Sequence, residues 1–367
     1  MLMCMAKNTN LGAARAAKND EFYTQYADIQ REVNTYLEYN PDTFRDKSVL
    51  LPCDDPEWSN FTRFFAQNFQ RLGLKRLIST SYAVESKRYK NYEPTLFETE
   101  SPLFDSDKTR IKGKIFELTR DINQNGRIDI DDLEWHYLEG DGDFRSKEVC
   151  QLRDEADIIV TNPPFSLFRE FVAWIFEADK KCLIVGHQGA IGYKEVFPII
   201  KNNRLWLGRG FTGGAGHFFS PYEDYAVASD HKEGMIRVSG VTWFTNLEHG
   251  RRHEPLKLMT MKDNLRYSKH KDLVSRGYYE RYYHYDYIDV PYTDAIPSDY
   301  NYEMGVPITY LDKHCIEQFD IVGLSTFYAT VKPDGLPKSK QGGPAFYVLR
   351  NGQYVRLYTR IIIRKKQ

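Results

Sequence analysis

Residues 157–170 read DIIVTNPPFSLFRE, and this stretch decides the fold. Ile158, Ile159 and Val160 form a short, uninterrupted β-branched run, as suits a strand buried on both faces of a parallel sheet. Asn162-Pro163-Pro164-Phe165 stops it, because each proline fixes its own φ, lacks an N–H and restricts the residue before it. Leu167, Phe168, Phe171, Val172, Ile175 and Phe176 then recur at helical spacing. Residues 181–185, KCLIV, are the next strand. A strand, a stiffened turn, an amphipathic helix and a second strand predict a doubly wound α/β sheet.

Upstream, residues 47–53 form an apolar strand that runs into the acidic turn Asp54-Asp55-Pro56. Ser59 caps a predicted helix carrying Phe61, Phe64, Phe65, Phe69 and Leu72, and Gly73 stops it. Residues 75–80 give a further strand, so the opening is β-α-β. Residues 113–138 break the rhythm. Two strand-like segments flank Asn125-Gly126, a strong hairpin signal, and predict an inserted antiparallel hairpin.

A helix is expected over 190–203. Ligands of such sheets sit at the carboxyl ends of the strands, which places residues 54–56, 141–145 and 161–165 on one edge. Residues 1–209 are therefore expected to be the catalytic domain. Beyond 210 the sequence turns glycine-rich and then tyrosine-rich, with nine tyrosines in 278–302. Residues 210–367 are expected to form a second, mixed region, with the option of returning strands to the core sheet.

At 367 residues, 41% hydrophobic and 28% charged, the chain reads as an ordinary globular protein. No stretch approaches the 18 or so apolar residues of a membrane span, and the first residues carry no signal-peptide h-region. Five scattered cysteines without a CxxC pair suit a reducing cytoplasm. Net charge is −1, but its distribution is uneven. Residues 98–157 hold 17 acidic and 9 basic side chains, 249–281 hold 9 basic and 4 acidic, and 331–367 hold 9 basic and 1 acidic. The back half is thus a candidate for phosphate contact, with Arg251, Arg252, Lys257, Lys338 and Lys340 as the residues to test.

The Asn-Pro-Pro run holds one side-chain amide and the neighbouring carbonyls in a single pose. Two fixed acceptors suit the gripping of both hydrogens of a planar NH₂ group. A ring-conjugated amine is a poor nucleophile because its lone pair is delocalised. Hydrogen bonds to Asn162 Oδ1 and a carbonyl at Pro163 favour pyramidal nitrogen. Pro164 stiffens the loop, and Phe165 offers a face for stacking. The bland alternative is a tight loop with a buried Phe.

Asn-Pro-Pro-Phe after an apolar strand is similar to motif IV of S-adenosylmethionine-dependent amino methyltransferases. Wider stretches resemble the EcoRI-type adenine-specific DNA methyltransferases: DEFYTQY (20–26), CDDPEWSNF (53–61), GDGDFRS (140–146), YKEVF (193–197), WLG (206–208) and MGVPITYLDK (304–313). The resemblance implies a Rossmann-like, seven-stranded class I methyltransferase sheet with a C-terminal target-recognition region. It implies S-adenosylmethionine as cofactor and methyl transfer to N6 of a flipped adenine in duplex DNA.

On the same ground Phe22, Tyr23 and Thr24 close over the methionine part, and Cys53, Asp54 and Asp55 form the first-strand cofactor loop. Asp143 and Phe144 meet the adenine, and Asn162 lies beside both cofactor and base. Glu85 is the nearest candidate for the ribose. A monomer is expected, with a cognate restriction endonuclease as a partner of the system rather than of a stable complex. Two alternatives stay open: the same chemistry on RNA, cytosine N4 or a glutamine side chain, and a non-catalytic DNA-binding protein that keeps the fold.

Residues 121–132 match a calcium loop at several positions, but the twelfth is Asp and the flanks read as strands, so a solvated turn is expected. Nine histidines show no paired spacing, and no metal is expected.

Overall fold

The computed structural model describes residues 23–52, 54, 59–83, 101–211, 214–219, 235–334, 336 and 343–366. Strand β1 (Tyr23–Thr24) leads into helix α1 (Tyr26–Tyr39), which buries Ile29, Val33 and Tyr36 on one face. Strand β2 (Ser48–Leu51) is buried at every position. Helix α2 (Asn60–Gln67) begins where Ser59 Oγ accepts from the Phe61 N–H, satisfying a donor that the first turn leaves open. It breaks at Asn68, and a further turn, Phe69–Leu72, ends at Gly73 with φ +65°. Glycine adopts that left-handed pose without a Cβ penalty.

Strand β3 (Arg76–Ser81) lies parallel to β2. Strands β4 (Lys114–Leu118) and β5 (Glu134–Tyr137) pair antiparallel with each other, and β4 pairs antiparallel with β3. Asn125-Gly126 is not their turn, because residues 119–133 separate the two strands. In that loop Asp121 accepts from the Asn125 and Gly126 N–H groups, at 3.1 and 2.7 Å. Asp132 accepts from Ile122 and Asn123, at 2.8 and 3.1 Å. Bonds from Asn123 and then from Asp129 and Ile122, against the opposing effect of burial, hold the Asp132 carboxyl below the usual range.

Helix α3 (Lys147–Glu155), capped by Ser146, precedes β6 (Ile158–Thr161). Helix α4 (Phe168–Glu177) leads to β7 (Lys181–His187). Strands β8 (Trp206–Leu207), β9 (Ala215–Phe219), β10 (Met235–Ser239) and β11 (Val241–Thr245) follow. The main sheet has eight strands, one more than the seven expected, in the order β5-β4-β3-β2-β6-β7-β11-β8. Strands β3, β2, β6 and β7 are parallel neighbours, while β11 runs antiparallel to β7. Strands β1, β9 and β10 form a separate antiparallel sheet.

The chain divides into two compact units, Met1–Ala190 with Leu207–Glu248, and Ile191–Trp206 with His249–Gln367. The boundary expected at 209/210 falls inside the first unit, because β11 returns to pair along β7. In the second unit, β12 (Ile288–Asp289), β13 (Met304–Pro307) and β14 (Phe319–Leu324) join β17 (Arg360–Lys365) in a four-stranded sheet, ordered β12-β13-β17-β14. Strands β15 (Tyr347–Arg350) and β16 (Gln353–Arg356) form a hairpin of their own. Its tip is Asn351-Gly352, both at positive φ, the pairing that a two-residue hairpin turn favours. Among the described residues no helix is long and apolar enough to cross a membrane.

Candidate active site at the carboxyl edge of the sheet

Parallel pairing sets Val49 against Ile158 and Leu50 against Ile159. Just beyond, Thr161 Oγ1 donates to the Pro52 carbonyl at 2.8 Å, so β2 and β6 end side by side. Asn162-Pro163 therefore emerges next to Pro52, at the end of β2. Asn162 Oδ1 is buried, as is Pro163. The Leu167 N–H donates to the Pro164 carbonyl at 2.9 Å, closing a 3-10 turn over Phe165–Leu167. Phe165 is only 7% exposed and joins an apolar cluster with Phe211 and Trp243. An openly presented ring was expected. Instead the turn folds the ring back into the core, where an aromatic side chain gains most.

Asp54, just past β2, is tied down from two sides. Asp54, 7% exposed, accepts from Ser59 Oγ at 2.7 Å. Its carbonyl takes the hydroxyls of Thr62 on α2 and Ser79 on β3. Asn60 Nδ2 donates to the Thr24 carbonyl at 2.8 Å, which draws the strand carrying Tyr23 and Thr24 to the start of the same helix. Thr24 and Asp54 are thus gathered around one helix N-terminus. Phe22, Cys53, Asp55 and Glu85 lie outside the described residues.

The loop 140–146 lies on the end of β3, where the Ala83 N–H donates to the Asp141 carbonyl at 2.8 Å. Gly142 sits at φ +87°, and a Cβ there would run into the Ser81 carbonyl. Asp143 accepts from the Arg145 backbone N–H at 2.8 Å and from its guanidinium at 2.9 and 2.6 Å. Arg145 also reaches Glu170 at 2.8 Å. Burial would raise the Asp143 carboxyl, but the Arg145 and Tyr82 hydrogen bonds and the Arg145 charge override it and hold it at about 2. The Phe144 ring is buried against Phe171 and Trp174, with centroids 5.1 and 5.6 Å away. It backs the loop from the core rather than facing the edge. His187, at the end of β7, has its Nδ1 bonded by the Gly189 N–H at 3.0 Å, and burial pushes its pKa down.

In the second unit the marked cations differ in setting. Arg251 donates to the Asp312 carbonyl at 3.4 Å, and Lys257 is exposed. Arg252 is 4% exposed, lies 3.5 Å from the centre of the Trp206 ring and bonds Asn203. It is a buried side chain, not a surface cation. Lys338 and Lys340 lie outside the described residues. Of the tyrosine run, Tyr279 and Tyr282 are buried, while Tyr278 and Tyr302 are exposed. Among the described residues no group of three or more His, Cys, Asp or Glu side chains is arranged to hold a metal ion.

One residue was missed. Glu32 is 1% exposed on α1 and receives the N–H groups of Arg209 and Gly210. Its signal in the sequence was position, since it falls on the helix face of Ile29, Val33 and Tyr36.

A family model described as the adenine-specific methyltransferase EcoRI matches residues 10–366. The chain belongs to this family. It is accordingly an enzyme, a methyltransferase of the adenine-specific class. It is 40% identical to the type II methyltransferase M.EcoRI of Escherichia coli over 323 residues, covering 86% of this chain and 89% of that protein. It is 33% identical to the type II methyltransferase M.MpnI of Mycoplasma pneumoniae over 364 residues, covering 96% and 97%. No solved structure matches the chain.

Proposed function

We propose that the chain transfers a methyl group to N6 of adenine in duplex DNA, acting on a base flipped out of the helix. Family membership carries the reaction class, and the emergence of Asn162-Pro163 beside the end of β2 supports the location. The main sheet is read as the class I methyltransferase sheet, enlarged at one edge by the antiparallel pair within 113–138. S-adenosylmethionine, the proposed cofactor, supplies an electrophilic methyl group on a sulfonium. Its ammonium, ribose hydroxyls and ring amine are donors, and the carboxylates of Asp54 and Asp143 on loops of this edge fit them.

Cys53 and Asp55 would join Asp54 in holding the cofactor, and Phe22, Tyr23 and Thr24 would cover its methionine part. Asp143 receives the ring amine while Arg145 keeps it ionised, and Phe144 supports the loop from beneath. Asn162 Oδ1 and the Pro163 carbonyl accept from the two N6 hydrogens, so that the lone pair turns out of the ring plane. Pro164 limits the drift of that acceptor pair. Phe165 gives the base an apolar wall at the edge of the core cluster. Catalysis is then positioning and hydrogen bonding, without a covalent enzyme intermediate.

The first unit is the cofactor and catalytic body, and the second recognises the target. Arg251, Lys257, Lys338 and Lys340 are the proposed phosphate contacts, with Arg252 left out because it is sealed. The enzyme works as a cytoplasmic monomer, with or without a cognate restriction endonuclease. Purified protein, labelled S-adenosylmethionine, duplex DNA and structured RNA test the reading. Label in N6-methyladenine of DNA is expected, and label confined to RNA overturns it.

A further inference from the structure

Glu32 is a carboxylate inside the core. Its Oε1 accepts from the Tyr36 hydroxyl at 2.7 Å and the Arg209 N–H at 2.9 Å, and its Oε2 accepts from the Gly210 N–H at 3.2 Å. Burying a carboxylate costs free energy unless its oxygens are well satisfied, and here charged acceptors meet backbone donors directly. The approach is also built from the other side, because any Cβ at Gly208 would overlap Glu32 Oε1. Gly210 sits at φ +83°. The carboxylate thus fixes one pose of the turn that follows β8.

That turn delivers Phe211 onto Trp243, with ring centroids 5.6 Å apart and planes within 7°. Phe211 and Trp243 belong to the cluster that holds Phe165, three residues after Asn162. Glu32 therefore holds the backbone at Arg209 and Gly210, which leads into Phe211, and Phe211 packs with Trp243 in the one apolar cluster that also takes in Phe165 beside the acceptor pair. Such support decides whether an acceptor pair is held within a fraction of an ångström.

We propose that Glu32 is a positioning residue for methyl transfer: it pins the Gly208–Phe211 turn and through it steadies Phe165 and Asn162. This rests on the function proposed above. Glu32→Gln keeps the size but offers one acceptor oxygen, and sets an NH₂ against a backbone N–H. Val33→Ala, on the same helix and buried in the same cluster, is the control for simple loss of stability.

Two measurements decide the proposal, kcat per S-adenosylmethionine-binding site and amide hydrogen exchange. Glu32→Gln is expected to lower kcat at least about tenfold, with cofactor Kd and DNA KM within about twofold. Exchange should rise in both 208–211 and 165–168. Val33→Ala, at a matched fall in melting temperature, should keep parental kcat and show no such linked rise. If Glu32→Gln has parental kcat per site, or if exchange rises at 208–211 alone, the proposal is overturned. Should Glu32→Gln fail to fold, Gly208→Ala displaces the same carboxylate and is judged by the same two readouts. A parent protein that methylates no DNA strikes the functional reading, and the exchange arm then decides the positioning claim by itself.

Discussion

Two prolines fix the backbone beside Asn162 at the end of β6, whereas Arg350 and Arg360 in the second unit are fixed by the anions beside them. Arg350 meets Glu280 at 2.5 Å, and Arg276 meets the same carboxylate at 3.3 Å. Arg360 meets Asp289, itself 1% exposed, at 2.8 Å, with the Tyr282 hydroxyl on the same carboxylate oxygen at 2.7 Å. Both regions stand out in the sequence. In the first, the marking is covalent: proline acts on its own backbone wherever the chain goes. In the second, the marking is a charge count, and a charge can be used inside the fold as readily as at its surface.

The largest expected effect is at the covalently fixed end. Asn162→Ala should reduce kcat by about 10³-fold or more, as removal of a preorganised transition-state hydrogen bond does. Cofactor Kd should stay within about tenfold, because the amide acts mainly when the amine attacks. Single-turnover kinetics with near-parental rates would remove Asn162 from the mechanism and with it the contrast.

Next comes the second unit's internal pair. Arg360→Ala leaves a buried carboxylate without its cation and should cost about 3–5 kcal/mol of stability. The slope of log Kd against log salt on DNA should not move. A flattened slope with unchanged denaturant midpoint would make Arg360 a phosphate-binding residue after all.

Neutralising Arg251, Lys257, Lys338 and Lys340 together tests the opposite case. Binding should weaken across all sequences, and the salt slope should fall by about 0.9 for each DNA phosphate that no longer meets a cation. Sequence preference should persist. A slope equal to the parent's would move the DNA to another face.

The smallest effect concerns Asp143. Its folded pKa, about 2, lies below the ordinary 3.8, so its ionised form stabilises the fold above that ordinary value. The contribution disappears as pH falls from about 4 through about 2. Asp143→Asn should therefore flatten the acid limb of stability in that window, and should also weaken cofactor binding measured by calorimetry. An unaltered acid limb would show that the Arg145 pair contributes nothing in solution.

Strands β2, β6 and β7 were legible because parallel strands covered on both faces need continuous apolar runs, and β3, with only Leu77 and Ile78 apolar, was legible from its place after a helix and Gly73. Helix α2 was legible because Ser59 and the phenylalanine spacing act locally, whereas its break at Asn68, before the separate turn that Gly73 ends, was not. The Asn125-Gly126 signal misled because a local turn preference yielded to Asp121 and Asp132, which take up the surrounding backbone N–H groups. Phe144 and Phe165 stand out in the sequence as the rings of their loops, but where each ring packs does not follow from local sequence. Phe171 and Trp174 draw in the one, and the Phe211–Trp243 cluster draws in the other.

The sequence by itself determined the β-α-β order, the stiffened Asn162-Pro163-Pro164 pose and, through its ordered motifs, the family. Each depends on residues close together in the chain, where proline geometry, caps and hydrophobic period act without help. Only the tertiary structure decided that β11 returns to the sheet beside β7, that Arg252 is buried and Arg360 is held by the buried Asp289, and that Glu32 reaches Arg209 and Gly210. Those outcomes join residues far apart in sequence, and they turn on which polar groups find partners once water is excluded.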